Sequence, residues 1–279
     1  MTVVILGGTA EARQLAAVLV ADGLDVVSSL AGRVGSPSLP RGRVRLGGFG
    51  GVSGLAEYLL DQRAAALVDA THPFAATISG NAVRAASLAD IPLVRLERPG
   101  WGKHPRAEFW TWVPDAAAAR AAADSARRPF VTTGRQTLAS FVSWADRDVV
   151  IRLVDPPVTA LPARWTVILS RGPYDYSGER QILSEHAIDV LLTKDSGGAH
   201  TVAKLDAAGD LGIPVVIITR PEQPPVRTLR TVSEAAAWSK STGNLRSVGR
   251  SSYEIASEAG GQCSCTGDRD MDTQWHQHH

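Results

Sequence analysis

Residues 2–33, TVVILGGTAEARQLAAVLVADGLDVVSSLAGR, constrain the fold more than any other stretch. Val3, Val4, Ile5 and Leu6 make a short apolar run rich in β-branched residues, which predicts a buried strand. Gly7-Gly8-Thr9 predicts a tight turn. Residues 11–21 place Leu15, Val18 and Leu19 on one face of an alanine-rich helix. Residues 25–30 predict a second strand. Strand, glycine turn, helix and strand in this order open a dinucleotide-binding fold. The N–H groups of the turn and of the helix start would face a pyrophosphate, where the helix dipole favours negative charge.

The glycine fingerprint is incomplete: Thr9 takes its second glycine position and Ala12 its third. Thr9 brings a hydroxyl that can donate to a phosphate, and Ala12 is small enough for close helix–strand packing. A plain turn without a ligand fits the same residues, so the end of the second strand matters more. An NAD site carries Asp or Glu there to hold the ribose 2′-hydroxyl. This chain has Ser28, Ser29 and, after a glycine, Arg33. With no acid to repel a 2′-phosphate and a guanidinium to bind it, the pattern favours NADPH over NADH. The alternative for Arg33 is an ordinary solvated loop arginine.

The length of 279 residues predicts two domains. A formal net charge of +1 offers no general attraction to nucleic acid or to a membrane surface. No apolar run approaches the roughly 20 residues of a spanning helix, and Met1 leads straight into a strand without a basic leader. These features together predict a cytoplasmic enzyme. The two cysteines, Cys263 and Cys265, lie near the C-terminus, so the body of the chain has no thiol chemistry. With His276, His278 and His279 they match no closed zinc pattern, and no metal site is expected.

Further along, Gly47-Gly48-Phe49-Gly50-Gly51 leaves a stretch of bare backbone around an aromatic ring that suggests contact with a flat ligand. The fourth apolar run ends in Asp69-Ala70-Thr71-His72-Pro73-Phe74, where an open parallel sheet binds its ligands. Residues 98–114 read as an irregular, tryptophan-rich crossover. Five more apolar strands follow, at 129–133, 149–154, 166–170, 190–193 and 214–219. Their ends carry Thr132-Thr133-Gly134-Arg135, Asp155-Pro156-Pro157, Ser170-Arg171-Gly172-Pro173-Tyr174 and Lys194-Asp195-Ser196-Gly197-Gly198. Arg135, Arg171 and Lys194 would make one cationic rim suited to a ligand with several carboxylates.

The expected fold class is α/β, with two Rossmann-like domains, each a mainly parallel five-stranded sheet flanked by helices, and a cleft between them. The expected units are 1–98 (NADP-binding), 99–128 (crossover and helix), 129–230 (a substrate-binding second α/β domain), 231–240 (a terminal helix capped by Ser233) and 241–279. The last segment lacks apolar periodicity and is expected to be a disordered tail.

GGTAEAR, SSLAGR, GGFGG, DATHPFA, TTGR, SRGPY and TKDSGG, in this order between residues 2 and 240, resemble the precorrin-6A reductase family of cobalamin biosynthesis. The resemblance implies NADPH-dependent reduction of one double bond of a polycarboxylate tetrapyrrole, precorrin-6A, to precorrin-6B. It also implies a cobalt-containing analogue as the alternative substrate, and transient contact with neighbouring pathway enzymes. Gly7, Gly8, Thr9, Ser28, Ser29 and Arg33 are then expected to hold the cofactor, with Gly48, Phe49, Thr71 and Pro73 near its nicotinamide half. Arg135, Ser170, Arg171, Lys194, Ser196 and Gly197 are expected to hold the substrate. His72, Tyr174 and Asp195 are the candidate proton donors, beside water and the substrate's own carboxylic acids. A non-catalytic NADP-binding regulator would leave the cationic rim without a use. A short-chain dehydrogenase would need a Tyr-x-x-x-Lys pair, which the sequence lacks.

Overall fold

Short apolar strands that alternate with helices bury both faces when they assemble as parallel sheets covered on each side. The computed structural model, which describes residues 1–32 and 39–242, contains two such sheets. The first half supplies β1 (Thr2–Leu6), α1 (Ala10–Ala21), β2 (Asp25–Leu30), β3 (Arg43–Leu46), α2 (Val52–Asp61), β4 (Ala64–Asp69), α3 (Ala76–Leu88) and β5 (Leu93–Leu96). The second half supplies β6 (Thr111–Val113), α4 (Ala116–Ala122), β7 (Pro129–Val131), β8 (Val150–Leu153), β9 (Thr166–Leu169) and α5 (Tyr176–Glu185). It continues with β10 (Val190–Lys194), α6 (Ala203–Asp210), β11 (Val215–Ile218) and β12 (Thr228–Leu229).

The sheets run β12-β5-β4-β1-β2-β3 and β6-β11-β10-β7-β8-β9, and every pairing is parallel. Each therefore has six strands where the sequence predicts five. The additional strands are β6 and β12, of three and two residues, too short to carry a periodic signal. Their placement is crossed. β6 follows β5 in the chain but completes the second sheet beside β11, while β12 follows β11 but completes the first sheet beside β5. Part of the stretch read as an irregular crossover is thus a strand, and the end of the second half belongs to the first sheet.

The cores follow the strands' two faces. On one face of the first sheet Leu15, Ala16 and Leu19 of α1 pack on Val3 and Ile5; on the other, Leu55 and Leu59 of α2 pack on Val4 and Leu6. The helix at residues 232–242 returns to the first sheet, where Ala235 and Ala236 are buried against the α1 side. Thr231, rather than Ser233, caps it: the Glu234 N–H donates to Thr231 Oγ1 and the Thr231 N–H donates to Glu234 Oε2, a reciprocal box. In the second sheet Phe130, Leu191 and Leu205 pack on one face and Phe141, Trp144 and Ile151 on the other.

Register brings the polar ends together. Leu6 lies opposite Ser29 and Asp69, so the glycine turn and the ends of β2 and β4 share one edge. Leu192 lies opposite Val131 and Lys194 opposite Ile218, which aligns the ends of β7, β10 and β11. Arg220 stitches the two chain crossings between the halves. Its Nη1 donates to Glu97 Oε1 (2.6 Å) and to the Arg98 carbonyl (3.1 Å), and its Nε donates to the Asp195 carbonyl (3.1 Å).

Candidate active site

The glycine turn leaves its backbone open at the edge of the first sheet. Gly8 has φ +117°, and a Cβ built on it would meet nothing within 4 Å, so the backbone there is open to a ligand. Gly7 is closed on its other side, where a Cβ would stand 3.3 Å from Leu30 Cδ2. Thr9 caps α1: its Oγ1 accepts the Ala12 N–H at 3.1 Å and donates to the Ala70 carbonyl at 2.8 Å. This corrects the expectation that its hydroxyl donates to a phosphate, because the hydroxyl proton is already used in tying the turn to the end of β4. A helix start of this kind leaves N–H groups open to an anion.

Glu11 stands in that same first turn, and Arg98 neutralises it at 2.8 Å. Arg98 Nε also donates to the Ser196 carbonyl at 2.6 Å. One guanidinium thus joins the first turn of α1 to the loop after β10.

Ser28 and Ser29 are inside the protein, at 1% and 6% exposure, and Ser28 Oγ has no partner among the described residues. The residues whose hydroxyls are expected to bind a 2′-phosphate are therefore buried, one on each face of β2. Arg33 lies outside the described residues. Phe49 is not a bare ring: the Arg45 guanidinium lies 3.9 Å from its centroid, and Tyr58 stacks obliquely at 5.3 Å. Arg45 also donates to the carbonyls of Gly47 and Gly48, so it shapes the glycine loop from below. Thr71 Oγ1 donates to Asp69 Oδ1 at 2.7 Å, and the buried Pro73 gives its carbonyl to Gln223 Nε2 at 2.7 Å.

Two adjoining clefts open along the shared edge. One, of about 290 Å³, lies between the glycine turn and the second half and is lined by Gly8, Thr9, Glu11, Arg98, Arg171 and Gly197. The other, of about 350 Å³, is lined by Arg135, Ser170, Tyr174, Ser196, Arg152 and Lys204. His72 and Thr201 border both. Lys194 lies deeper, with Nζ 5.2 Å from the Phe74 ring, and burial lowers its pKa. Gly197 has φ +65° and packs on the crossing segment, where a Cβ would collide with the Pro99 carbonyl. Tyr174 donates its hydroxyl to the Ser170 carbonyl at 3.1 Å.

His72 is neutral here. Its Nδ1 accepts the Phe74 N–H at 3.2 Å, which leaves the ring proton on Nε2. Burial, together with Arg98, Lys194 and Arg220, pushes its pKa down to about 3. An unfolded histidine takes up a proton near pH 6.5; this one, when folded, does so only near 3. The unfolded state therefore binds more protons in that window, and stability falls as pH drops from about 6.5 towards 3, by at most ~1.4 kcal/mol per pH unit. In His72→Asn an amide oxygen takes the place of Nδ1 as acceptor and the titration is gone. Its urea midpoint should fall less steeply with acid than that of the wild type; equal slopes would show that His72 does not titrate in this way.

Asp195 is 8% exposed and makes two contacts across the seam. Its Oδ1 accepts the Trp101 N–H at 2.9 Å, and its Oδ2 lies 3.3 Å from Arg220 Nε. Through these contacts it holds the seam between the halves.

Sequence reasoning overlooked the floor of the larger cleft. Arg152 is buried in β8 and pairs with Glu179 of α5 through two contacts, 2.6 and 3.0 Å, while its guanidinium lies 4.2 Å from the Tyr174 ring centroid. A charged residue inside the run VIRL is a signal, since buried charges are nearly always paired. Lys204, 4% exposed, has no such signature, because a lysine in the first turn of a helix reads as solvated surface.

The family described as "Precorrin-6x reductase CbiJ/CobK" matches residues 2–240. The chain belongs to the precorrin-6A reductase family. It is 50% identical over 239 residues to the precorrin-6A reductase of Rhodococcus erythropolis, covering 85% of this chain and 96% of the relative. It is 48% identical to that of Mycobacterium tuberculosis (strain H37Rv), over the same shares of both chains. A cobalt-precorrin-6A reductase of Priestia megaterium is 29% identical, covering 79% of this chain and 91% of the relative. A solved structure titled "CobK precorrin-6A reductase" superposes with a TM-score of 0.82 at 39% identity, over 87% of this chain and 97% of that one. The family places the chain among oxidoreductases of cobalamin biosynthesis that act on a CH–CH group.

Proposed function

We propose that this chain reduces precorrin-6A to precorrin-6B with NADPH, working in the cytoplasm. The observation that carries the reading is the pair of adjoining clefts, one at a pyrophosphate-shaped turn and the other floored and rimmed by cations, with His72 on both. NADPH, when bound, supplies the hydride. The first turn of α1 and Gly8 hold its phosphates, and Arg98 cancels the Glu11 charge that would otherwise oppose them. Arg135, Arg171, Ser170 and Ser196 take the carboxylates and fix the macrocycle plane. Positioning of this kind contributes several kcal/mol to a transfer whose atoms must meet within ~3–3.5 Å. Neutral His72 donates from Nε2 as a hydrogen-bonding group between the two clefts. The proton that follows the hydride comes from water, from a carboxylic acid of the substrate, or from Tyr174 once its hydrogen bond to the Ser170 carbonyl is given up. Higher identity to the cobalt-free reductases, 48–50% against 29%, favours the metal-free substrate.

The test is anaerobic incubation with precorrin-6A and either NADPH or NADH, followed by the change in chromophore absorbance. Reduction with NADPH and little with NADH is expected; no reduction with either would end the reading. Arg33→Ala should weaken NADPH binding by about 1.5–3 kcal/mol, one charge-assisted contact, and leave NADH nearly untouched. Equal losses for both cofactors would remove Arg33 from the 2′-phosphate. The terminal segment from residue 243 onward, including Cys263, Cys265, His276, His278 and His279, lies outside the described residues.

A further inference from the structure

A cavity of about 10 Å³ lies where β4, β5, α3 and the second chain crossing meet. Asp69, Thr71, Ser79, Arg95 and Gln223 line it. His72, which borders both clefts, borders this cavity as well.

Most polar groups around it are engaged. Asp69 Oδ1 accepts from the Thr71 N–H at 3.2 Å and from Thr71 Oγ1 at 2.7 Å, and Asp69 Oδ2 lies 3.5 Å from Arg95 Nε. Arg95 Nη1 donates to the Pro224 carbonyl at 3.4 Å. Gln223 Nε2 donates to the Pro73 carbonyl at 2.7 Å. A carbonyl can only accept, so this contact fixes the amide with its NH2 towards Pro73 and leaves Oε1 as an acceptor. Two atoms are then left over. Arg95 Nη2 and Gln223 Oε1 are both buried without a partner among the described residues. One is a donor and the other an acceptor, and their side chains line the same cavity. Arg95 is 8% exposed, so bulk water does not serve it, and a bare charged donor in the interior is costly.

We propose that one buried water molecule is a fixed part of this protein, seated between Arg95 Nη2 and Gln223 Oε1 beside His72, and that Gln223 is a positioning residue for His72. The positioning role rests on the functional reading above, in which His72 stands between the two clefts; the water site does not. The cavity volume suits one water and no larger ligand. That water accepts from Arg95 Nη2 and donates to Gln223 Oε1, and Asp69 Oδ2, whose contact with Arg95 is long, is the natural acceptor for its second proton. It thereby ties β4 and β5 to the second crossing. The same Gln223 amide grips the loop that carries His72. Within that loop the Phe74 N–H donates to His72 Nδ1 and the Ala75 N–H donates to the His72 carbonyl at 2.7 Å. Pro73, between them, is fastened to the crossing through Gln223. A glutamine held at both ends of its amide thus sets where the His72 ring stands.

The first measurement is a crystal structure of the wild type that shows ordered solvent. One water is expected about 2.7–3.2 Å from both Arg95 Nη2 and Gln223 Oε1. Direct contact between those two atoms, with no solvent between them, would overturn the water site. The second measurement uses Gln223→Met, which keeps the side-chain length and removes both amide functions. It is expected to lose that water and to retain NADPH affinity, because the phosphates are held at the first turn of α1. Its kcat is expected to fall about tenfold through misplacement of His72. The imidazole nitrogen NMR signals of His72 should shift or broaden, because Nδ1 no longer accepts from a fixed N–H. A glutamine that merely braces the fold predicts lower Tm with kcat and the His72 signals unchanged, and that result would overturn the positioning role. Should Gln223→Met fail to fold, Gln223→Asn takes its place. Its amide is one methylene short of Pro73, so the same change in the His72 signals is expected and an unchanged spectrum would count against the role. Solvent and imidazole signals are read without turnover. A wild type that shows both but does not reduce precorrin-6A would therefore end the functional reading and leave the water site intact.

Discussion

Replacing Glu179 with alanine should destabilise the protein by about 3–5 kcal/mol, the cost of leaving a buried guanidinium without its counter-charge. Arg152 and Glu179 have side chains only 4% and 1% exposed, so water cannot take over the lost role. For a chain of this size the loss corresponds to a fall in Tm of roughly 10 °C. Turnover should fall as well, because Arg152 supports Tyr174 and the floor of the larger cleft. The double variant Arg152→Met/Glu179→Leu separates the two effects. Replacing a buried pair with apolar residues of similar volume is often neutral for stability, so Tm should recover while activity does not. A Tm for Glu179→Ala within 2 °C of wild type, roughly within the error of a thermal melt, would show that the pair does not brace the second sheet.

Asp195→Ala should cost about 2–4 kcal/mol, because it removes the acceptor for the Trp101 N–H and one partner of Arg220. The seam between the halves would loosen and kcat would fall with it. Asp195→Asn distinguishes this role from chemistry: the amide oxygen still accepts from Trp101, so turnover should stay within a few-fold of wild type. Removing a general acid costs about 10²–10⁴-fold. A loss of that size in Asp195→Asn, with Tm unchanged, would identify Asp195 as the proton donor. In the same assay Tyr174→Phe is the variant expected to lose turnover if the cleft tyrosine gives the proton.

The first βαβ unit was legible because its signals are local. Four apolar residues, a glycine turn and an amphipathic helix specify the unit without distant contacts, and Gly8 takes the left-handed conformation the turn needs. The edge that carries the polar loops was legible for a related reason, since loops after parallel strands fall on one edge, but the three cations expected to make a single rim there are spread out: Arg135 lines the larger cleft, Arg171 the smaller and Lys194 neither of the two. Long-range partnerships were not. Thr9 looked like a phosphate donor because nothing near it reveals that its proton goes to Ala70, 61 positions away. The structural partners of Asp195, Trp101 and Arg220, are hidden from the sequence because they come from the two chain crossings. Ser28 and Ser29 sit where a 2′-phosphate contact is sought, but strand alternation and the neighbouring β3 close them in. Strands β6 and β12 are held by edge pairing with strands that sequence alone does not identify as their neighbours.

The crossed placement of β6 and β12 also governs how the protein can assemble on the ribosome. When residues 1–98 have emerged, the first sheet has five of its strands and an open β5 edge, which is a hazard for pairing with other chains. The strand that follows next, β6, does not close it. The second sheet, in contrast, needs nothing beyond β11 and is complete as soon as Ile218 is synthesised. The first sheet must then wait for β12 and for the helix at 232–242. N-terminal domains usually finish first during synthesis; here the half that begins the chain is the last to close.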